Sequence, residues 1–309
     1  MTCCRYPGTD GIFNIHKPRG GTSFSVVALV RRLSGEKRVG HAGTLDPMAS
    51  GVLPVCIGQA TRLVEYMVDA GKTYRATIEL GTATDTYDAE GKVTARADAS
   101  HVTRAQVERA LEAFRGVIEQ MAPAYSAVKH KGTPLYKMAR AGMSVPSRKR
   151  HARIDRIEMT EWRHPVFVLQ IDCGKGTYIR SIAHDLGQAL GCGAYLKELV
   201  RLRCGVFRLE DSVTLDEVQE SFRAGYWQDL LYPLDSVLAD IPAVVLSDEN
   251  ELAVCNGKMV ALGDALPAAE TARAYNACGN LVAVLKRDPA AGRWHPEKVF
   301  GALDTATPM

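Results

Sequence analysis

The chain has 309 residues, of which 46% are apolar and 24% are charged, and its formal net charge is +3. These values are typical of a globular protein that buries a core, and the length suffices for one large domain and one small domain. No apolar run approaches the roughly 20 residues that a membrane-spanning helix needs, so no membrane partner is expected. A net charge of +3 is too small to indicate nucleic-acid binding by itself.

The eight cysteines are scattered along the chain, and only Cys3 and Cys4 are adjacent. No Cys-x-x-Cys pair is present, so the sequence predicts no cysteine zinc site. Free thiols and the absence of an apolar signal-peptide core near the start predict a protein of the reducing cytoplasm. Cys3-Cys4 could form a metal or redox pair, but an incidental pair in a terminal segment is the simpler interpretation.

Apolar periodicity predicts an alternation of strands and amphipathic helices. Strands are predicted within residues 11–21, 52–57, 73–80 and 166–172. Helices are predicted after Thr22 or Ser23, from the capping box at Thr103 to about Glu119, around residues 182–190, and after the capping box at Thr214. From about residue 240 the apolar segments are short and are separated by turns, at Asn256-Gly257 and at residues 278–280. Short apolar segments separated by turns are typical of a small β-rich domain with hairpins.

One carboxylate, Asp46, lies in a segment with glycines at positions 40, 43 and 51. Glycine allows sharp turns and the close approach of another molecule. Pro47 follows directly and favours an extended conformation at Asp46. The apolar run at 52–57 then predicts a buried strand, so the segment presents an acidic side chain on a tight loop that leads into the core. From these local features alone, an aspartate that caps a turn is the simpler interpretation.

Positive charge is concentrated in residues 123–156, which contain nine lysines and arginines and a single acid. This segment carries +8, which leaves −5 for the rest of the chain. Tyr125 and Tyr136 are interleaved with the cations. The combination suits RNA, because aromatic rings stack on bases while cations contact phosphates. A solvated basic face is the alternative interpretation.

Residues 40–47, Gly-His-Ala-Gly-Thr-Leu-Asp-Pro, resemble the signature of the bacterial tRNA pseudouridine synthases of the TruB type. Three other segments resemble motifs of that family in the same order along the chain: Lys17-Pro18, Lys72-Thr73-Tyr74, and residues 176–181 with Tyr178 and Arg180. The resemblance covers about residues 10–302. One departure is Ala122-Pro123, where the usual family pattern begins Pro-Pro.

The resemblance implies roles for a set of site residues. Three residues are implied to be catalytic: Asp46, Arg180 as its cationic partner, and Tyr74, which contacts the target base. The implied substrate pocket also includes Tyr178, Leu199, Lys17 and Pro18. A cationic partner is also what the chemistry needs, because removing a lone carboxylate from water disfavours its charged form. Without the resemblance, Tyr74 is an ordinary strand aromatic, Arg180 a surface charge and Leu199 a core residue.

A second set is implied to bind RNA. His41 is implied to occupy the space that a flipped base vacates. The other members lie in the basic segment: Tyr125, Lys129, Lys131, Arg140, Arg148 and Arg150. The acidic loop at residues 81–91 does not match the spacing of a calcium loop and is predicted to be a polar loop. The resemblance implies neither a metal nor another cofactor.

The fold implied by the resemblance is α+β. It comprises a pseudouridine synthase catalytic core with a mixed β-sheet at residues 10–238, an RNA-clamping insertion at 123–152, and a small β-rich PUA-like RNA-binding domain at 240–305.

The implied activity is the isomerisation of uridine 55 in the T arm of tRNA, by base flipping and exchange of a C–N for a C–C glycosidic bond. The expected partner is the tRNA T stem-loop, with no obligatory protein partner and a monomeric chain. One alternative is a tRNA-binding or folding chaperone without chemistry, which leaves the set of Asp46, Tyr74 and Arg180 unexplained. The other is a guide-RNA-dependent synthase of the dyskerin type, and the insertion at 123–152 favours the stand-alone enzyme over it.

Overall fold

The computed structural model describes residues 10–121, 123, 125, 129–130, 132–141, 143, 149–263, 266 and 269–300, with the side chains at 129, 130, 134, 136, 139 and 140 excepted. The described strands are β1 (Gly11–Lys17), β2 (Val39–His41), β3 (Ala49–Ile57), β4 (Lys72–Leu80), β5 (Thr82–Thr84), β6 (Val93–Arg96), β7 (Gly116–Met121), β8 (Lys129–His130), β9 (Thr133–Pro134), β10 (Lys149–Arg163), β11 (Val166–Cys173), β12 (Ala194–Cys204), β13 (Phe207–Arg208), β14 (Leu231–Tyr232), β15 (Ala243–Val245), β16 (Thr271–Tyr275), β17 (Leu281–Asp288) and β18 (Arg293–Val299). The described α-helices are α1 (Ser23–Ser34), α2 (Val64–Asp69), α3 (Arg104–Leu111), α4 (Leu135–Arg140), α5 (Ile179–Ala189), α6 (Leu215–Ala224) and α7 (Asp248–Cys255). Short 3-10 helices occupy Gly58–Leu63, Glu112–Phe114, Trp227–Leu230 and Leu234–Leu238.

Ten strands form one sheet in the order β14-β1-β3-β12-β4-β11-β10-β7, with β2 also paired to β3 and β13 to β12. The β3–β12 pair is parallel, whereas the other described pairs of this sheet are antiparallel, so the sheet is mixed as expected. Across its centre, Gly51 of β3, Arg201 of β12 and Tyr74 of β4 lie in one row. A Cβ at Gly51 would come within 2.2 Å of the Arg201 carbonyl oxygen, and φ there is +105°, so the position requires glycine.

Several elements form as their sequence patterns predict. In β4 the even-numbered positions from Tyr74 to Leu80 are buried, which confirms the alternation. The Thr22 hydroxyl accepts a hydrogen bond from the Ser25 N–H and caps α1. Thr103 and Thr214 each form a complete capping box with the side chain three residues later. Local patterning therefore determines these boundaries.

The predicted helix from Thr103 to about Glu119 is wrong in its second half. α3 ends at Leu111, a 3-10 turn follows, and residues 116–121 form strand β7. Gly116 has φ +78°, which ends the helical path, and Val117 and Ile118 then pair with β10. The β-branched side chains favour the strand, and the partner strand that completes it lies about 30 residues later in the chain.

After residue 240, strands β15–β18 form a separate four-stranded sheet, with α7 packed against it. Residues 278–280 connect β16 to β17 as a hairpin turn, as predicted. The hairpin predicted at Asn256-Gly257 is wrong, because these residues instead follow the C-terminal end of α7. Gly257 has φ +74°, a conformation that suits a helix terminus as well as a hairpin turn.

The four-stranded sheet packs against the part of the protein that contains the large sheet, and residues of both parts form one apolar cluster. Leu281, Val284 and Phe300 lie in one cluster with Ile12 and Met67. Polar contacts surround this cluster: Arg62 donates to the Val299 carbonyl, Lys298 pairs with Glu65, and the Tyr275 hydroxyl donates to Asp235. In the part of the chain that the structure describes, no helix is long and apolar enough to cross a membrane.

Candidate functional site

The loop that carries Asp46 runs from β2 to β3 and is held from two sides. The Ser23 hydroxyl, at the start of α1, donates to the Leu45 carbonyl and accepts from the Leu45 N–H. On the other side, the Gly20 N–H donates to the Pro47 carbonyl. Leu45 is buried, which anchors the loop in the core. The Asp46 side chain is thereby held at the surface of a cavity with 37% of its area exposed.

Lys17 supports the same loop from beneath. Its ammonium donates to the carbonyl oxygens of Pro18, Pro47 and Ala49, at 2.8, 3.4 and 2.7 Å. The side chain is fully buried, and burial lowers its pKa to about 8. Lys17 therefore lies behind the Asp46 loop, and Pro18 contributes a carbonyl acceptor to it. That both residues belong to the substrate pocket stays a prediction.

Arg180 lies in the first turn of α5 with only 5% of its side chain exposed, and its guanidinium contacts two carboxylates. Its Nε lies 2.9 Å from Oδ2 of Asp46, and its Nη1 lies 3.6 Å from Oδ2 of Asp88. Nη1 and Nη2 also donate to the carbonyls of Thr86 and Tyr125, at 3.3 and 3.0 Å. The structure thus brings Asp46 and Arg180 together, and one guanidinium joins α5 to three other chain segments.

Asp88 is the residue of this site that sequence reasoning missed. It lies between β5 and β6 in the loop that the sequence predicted as merely polar, yet it is 5% exposed. Its Oδ1 accepts from the Thr86 hydroxyl and the Glu90 N–H, which orients Oδ2 toward Arg180. Tyr87, at φ +65°, turns the loop, and its ring stacks on His184 with centroids 3.8 Å apart. The close spacing of three acids in residues 85–90, Asp-Thr-Tyr-Asp-Ala-Glu, was a signal that could have drawn attention to this loop. The sequence does not show which of the three side chains is buried.

Two cavities meet at this ion pair. The smaller, of about 250 Å³, is bounded by Tyr74, Leu199, Arg201, Lys72 and residues 174–180. The larger, of about 760 Å³, is bounded by residues 22–24, His41, the loop around Asp88, and Tyr125. Thr44, Leu45, Asp46 and Arg180 line both cavities. The predicted pocket residues Tyr74, Tyr178 and Leu199 therefore all lie in the smaller cavity beside Asp46.

Tyr74 and Arg201 are cross-strand partners of β4 and β12, and both side chains line the smaller cavity. Burial raises the pKa of Tyr74 to about 12, although the nearby Arg201 guanidinium acts in the opposite direction. Arg201 is 1% exposed and also donates to the carbonyls of Val52 and Gly43, at 2.7 and 3.0 Å. The Tyr74 phenol is therefore neutral, and it forms part of the wall of the smaller cavity.

Tyr178 is fixed through its backbone. Its N–H donates to the Gln120 side chain, and the Gln120 amide donates back to the Tyr178 carbonyl, at 3.0 and 3.1 Å. Gln120 is buried in β7, the strand that replaced the predicted helix. These two hydrogen bonds fix the backbone of Tyr178, the residue directly before α5. They thereby orient the first turn of the helix, which carries Arg180.

The predicted RNA-binding residues are only partly described. His41 lines the larger cavity; its buried Nδ1 has no hydrogen-bond partner among the described atoms, and burial lowers its pKa. Arg150 is exposed, with its Nη1 3.9 Å from the position of a Cβ on Gly176. Lys131 and Arg148, and the side chains of Lys129 and Arg140, lie outside the described residues. Among the residues that the structure describes, no group of three or more metal-ligating side chains is arranged to hold an ion.

The family model described as TruB family pseudouridylate synthase, N-terminal domain, matches residues 31–179, and the model described as tRNA pseudouridylate synthase B C-terminal domain matches residues 180–239. A curated relative from Dehalococcoides mccartyi, named tRNA pseudouridine synthase B, is 47% identical over 94% of this chain and 96% of its own length. The chain belongs to the TruB family of pseudouridylate synthases. A relative of the same name from Symbiobacterium thermophilum is also 47% identical, over 80% of this chain and 82% of its own length.

Solved structures agree with this TruB assignment. A chain of a Cbf5-Nop10-Gar1 complex has a TM-score of 0.72 and 28% identity, and the match covers 95% of this chain and 85% of that chain. A chain of an H/ACA RNP bound to a substrate RNA has a TM-score of 0.72 and 26% identity, covering 97% and 92%. The family, the α+β fold class with its large mixed sheet, and the enzyme class predicted from the sequence are confirmed.

Because Asp88 orients the guanidinium that pairs with Asp46, Asp88→Asn is expected to slow pseudouridine formation by about 10- to 100-fold, a magnitude typical of a misplaced reacting group. Asp98→Asn is the control, since Asp98 is an exposed aspartate whose hydrogen bonds, among the described residues, come from nearby Ser100. Single-turnover rates with saturating enzyme give the comparison. Equal rates for Asp88→Asn and wild type would show that Arg180 needs no second carboxylate.

Tyr74 generates a prediction about pH, because its folded-state pKa of about 12 exceeds the value of about 10 in an unfolded chain. The neutral phenol therefore stabilises the folded state below pH 10, and this contribution is lost as pH rises from 10 toward 12. Between pH 9 and 11, wild type is expected to lose about 1.4 kcal/mol of unfolding free energy relative to Tyr74→Phe. Urea denaturation measures this difference. The same pH dependence of unfolding free energy in wild type and Tyr74→Phe would contradict this prediction.

Proposed function

We propose that this enzyme converts uridine to pseudouridine in tRNA, at uridine 55 of the T arm. The observation that carries the proposal is the Asp46–Arg180 ion pair between two cavities, with Tyr74 and Leu199 walling the smaller one. A single carboxylate with a buried cationic partner suits chemistry at a sugar carbon. The names of the relatives that match nearly the whole chain support tRNA as the substrate.

Asp46 is the proposed catalytic residue. With the target base in the smaller cavity, its carboxylate attacks ribose C1′ or base C6, or takes a proton from the ribose as a glycal forms. In each case the bond from C1′ to N1 breaks, a bond from C1′ to C5 forms, and the hydrogen on C5 is replaced while N1 gains one. Atoms and electrons balance within the substrate, so the isomerisation requires no cofactor.

Tyr74 is proposed to stack on the base. A role as the base that removes the C5 proton would need a phenolate near neutral pH. Burial raises the pKa of Tyr74 instead, so we propose that its ring positions the uracil and that its hydroxyl acts only as a hydrogen-bonding group. Leu199, 7% exposed, supplies an apolar surface beside the same base.

RNA is proposed to enter through the larger cavity. Extraction of a nucleotide from a structured loop costs a few kcal/mol, and stacking and phosphate contacts must offset it. His41 lines this cavity, and we propose that it fills the space the base leaves. The insertion at 123–152, including Tyr125, Lys129, Lys131, Arg140, Arg148 and Arg150, is proposed to clamp the stem-loop.

The four-stranded sheet is proposed to be a PUA-like RNA-binding domain at residues 240–305, attached to a catalytic domain at 10–238. We propose a monomer that acts in the cytoplasm on naked tRNA without a guide. The neighbouring solved chains come from a Cbf5-Nop10-Gar1 complex and from an H/ACA RNP bound to a substrate RNA. The relatives at 47% identity are named instead as tRNA enzymes, which favours the stand-alone mode.

Tritium release from tRNA labelled at uridine C5 tests this function, because forming the C5–C1′ bond must expel the label. Wild type alone is expected to release label from T-arm uridine, and Asp46→Asn is expected to release none while retaining tRNA binding. A substrate with uridine 55 replaced by cytidine controls for position. Activity in Asp46→Asn would refute its catalytic role; binding without release by either protein would favour a chaperone or a guide-dependent enzyme.

The basic segment gives a second test. Neutralising Lys129, Lys131, Arg148 and Arg150 together is expected to weaken tRNA binding and to flatten the plot of log affinity against log salt, because fewer counterions are released. The control neutralises four exposed cations away from both cavities and from the four-stranded sheet: Arg104, Arg109, Arg163 and Arg223. If both quadruple variants keep the wild-type slope, the insertion is not the phosphate contact.

A further inference from the structure

Beneath the smaller cavity lie two buried cations for which the proposed reaction has no role yet. Lys72, at the start of β4, is 6% exposed, and Arg201, in β12, is 1% exposed. Both line the cavity beside Tyr74. They converge on one point: a Cβ on Gly43 would lie 3.4 Å from Nη1 of Arg201 and 3.8 Å from Cε of Lys72.

Both cations are satisfied by neutral carbonyl oxygens. The Lys72 ammonium donates to the carbonyls of Met67, Val68 and Ala70, at 3.3, 2.6 and 2.6 Å, where α2 ends. Three acceptors use three N–H groups, which only the charged ammonium has. Arg201 donates to the carbonyls of Val52 and Gly43. Among the described residues, no carboxylate lies within ion-pair distance of either cation.

The charge of the cavity therefore does not balance. The titratable or charged side chains that line it are Asp46, Lys72, Tyr74, Lys175, Tyr178, Arg180 and Arg201. Arg180 is already paired with Asp46 and Asp88, and Lys175 is exposed and paired with Asp69. The Tyr74 phenol is held neutral by burial, which raises its pKa to about 12. Lys72 and Arg201 remain as buried positive charges without an anionic partner, a costly arrangement unless the occupant supplies negative charge.

We propose that Lys72 and Arg201 form an anion-stabilising floor for the detached uracil ring. This inference rests on the proposed function and adds a role for residues outside the Asp46–Arg180 pair. When the C1′–N1 bond breaks, both of its electrons stay with the base, which becomes a uracil anion with charge spread over N1, O2 and O4. The same electron density then closes the C5–C1′ bond. A fixed positive field that acts on the anion more strongly than on neutral uridine lowers the barrier.

The experiment uses a T stem-loop RNA that carries 5-fluorouridine at the target position, bound to full-length Asp46→Asn so that no turnover occurs. The fluorinated base ionises near neutral pH at N3, and its anion also places charge on O2 and O4. Fluorine NMR follows the ionisation of the bound base. Its pKa is expected to fall about one unit or more below that of the same base in free RNA.

Asp46→Asn removes a negative charge and can by itself lower the pKa of the bound base. A second substitution in the same protein is therefore needed to show which cation causes the shift. Adding Lys72→Gln or Arg201→Gln is expected to raise the pKa of the bound base by about half a unit or more, whereas Arg201→Lys should largely retain the shift. Lys175→Gln is the matched control, since it removes a cation that lines the same cavity in an exposed position. Its effect is expected to be small because solvent screens it.

The possible results distinguish a failure of the anion-stabilising floor from a failure of the proposed function. A bound-base pKa at or above the free value, or equal effects of Lys72→Gln and Lys175→Gln, would overturn the proposal. Thermal melts verify that each variant is folded; if Arg201→Gln is not, Lys72→Gln and Arg201→Lys decide the result. RNA that binds without a pKa shift contradicts the anion-stabilising floor alone, whereas RNA that does not bind contradicts the proposed function.

Discussion

The site depends on one buried guanidinium. Arg180 contacts Asp46, Asp88 and two backbone carbonyls, so a single side chain joins α5, the loop before β3, the loop before β6 and the start of the basic segment. Arginine suits this task because its five N–H donors are fixed in one plane and it keeps its charge when buried. Two carboxylates in contact with the same cation balance the cost of removing it from water.

The remaining buried cations act through the backbone. Lys17 gathers carbonyls of the Asp46 loop, Lys72 gathers carbonyls at the end of α2, and Arg201 binds those of Gly43 and Val52. Each long side chain thus ties an irregular segment to a regular strand. Backbone carbonyls that would otherwise be buried without donors are satisfied in this way. The shape of the cavity and its positive potential have the same structural cause.

Sequence reasoning succeeded where the signal was local. Alternation located β4, and side-chain capping located α1, α3 and α6, because these patterns depend on a few neighbouring residues. The motifs at Asp46, Tyr74 and Arg180 named residues that the fold brings together. Local patterns were misleading where a distant segment of the chain determines the conformation of a residue or the direction of its side chain. Residues 116–121 become a strand only because β10 is available, and Asp88 differs from its acidic neighbours only in facing Arg180.

The parallel pairing of β3 with β12 has a consequence for the order of folding. It sets Ala49 beside Leu199 and Gly51 beside Arg201, so residues about 150 positions apart in the chain become neighbours close to the smaller cavity. Contacts between such distant segments form late, since a long loop must close before they contribute stability. During synthesis, strand β3, which follows the Asp46 loop, can pair with β1 long before β12 leaves the ribosome. A nascent chain therefore forms the Asp46 loop early, but it completes the cavity lined by Leu199 and Arg201 only after most of the protein has been made.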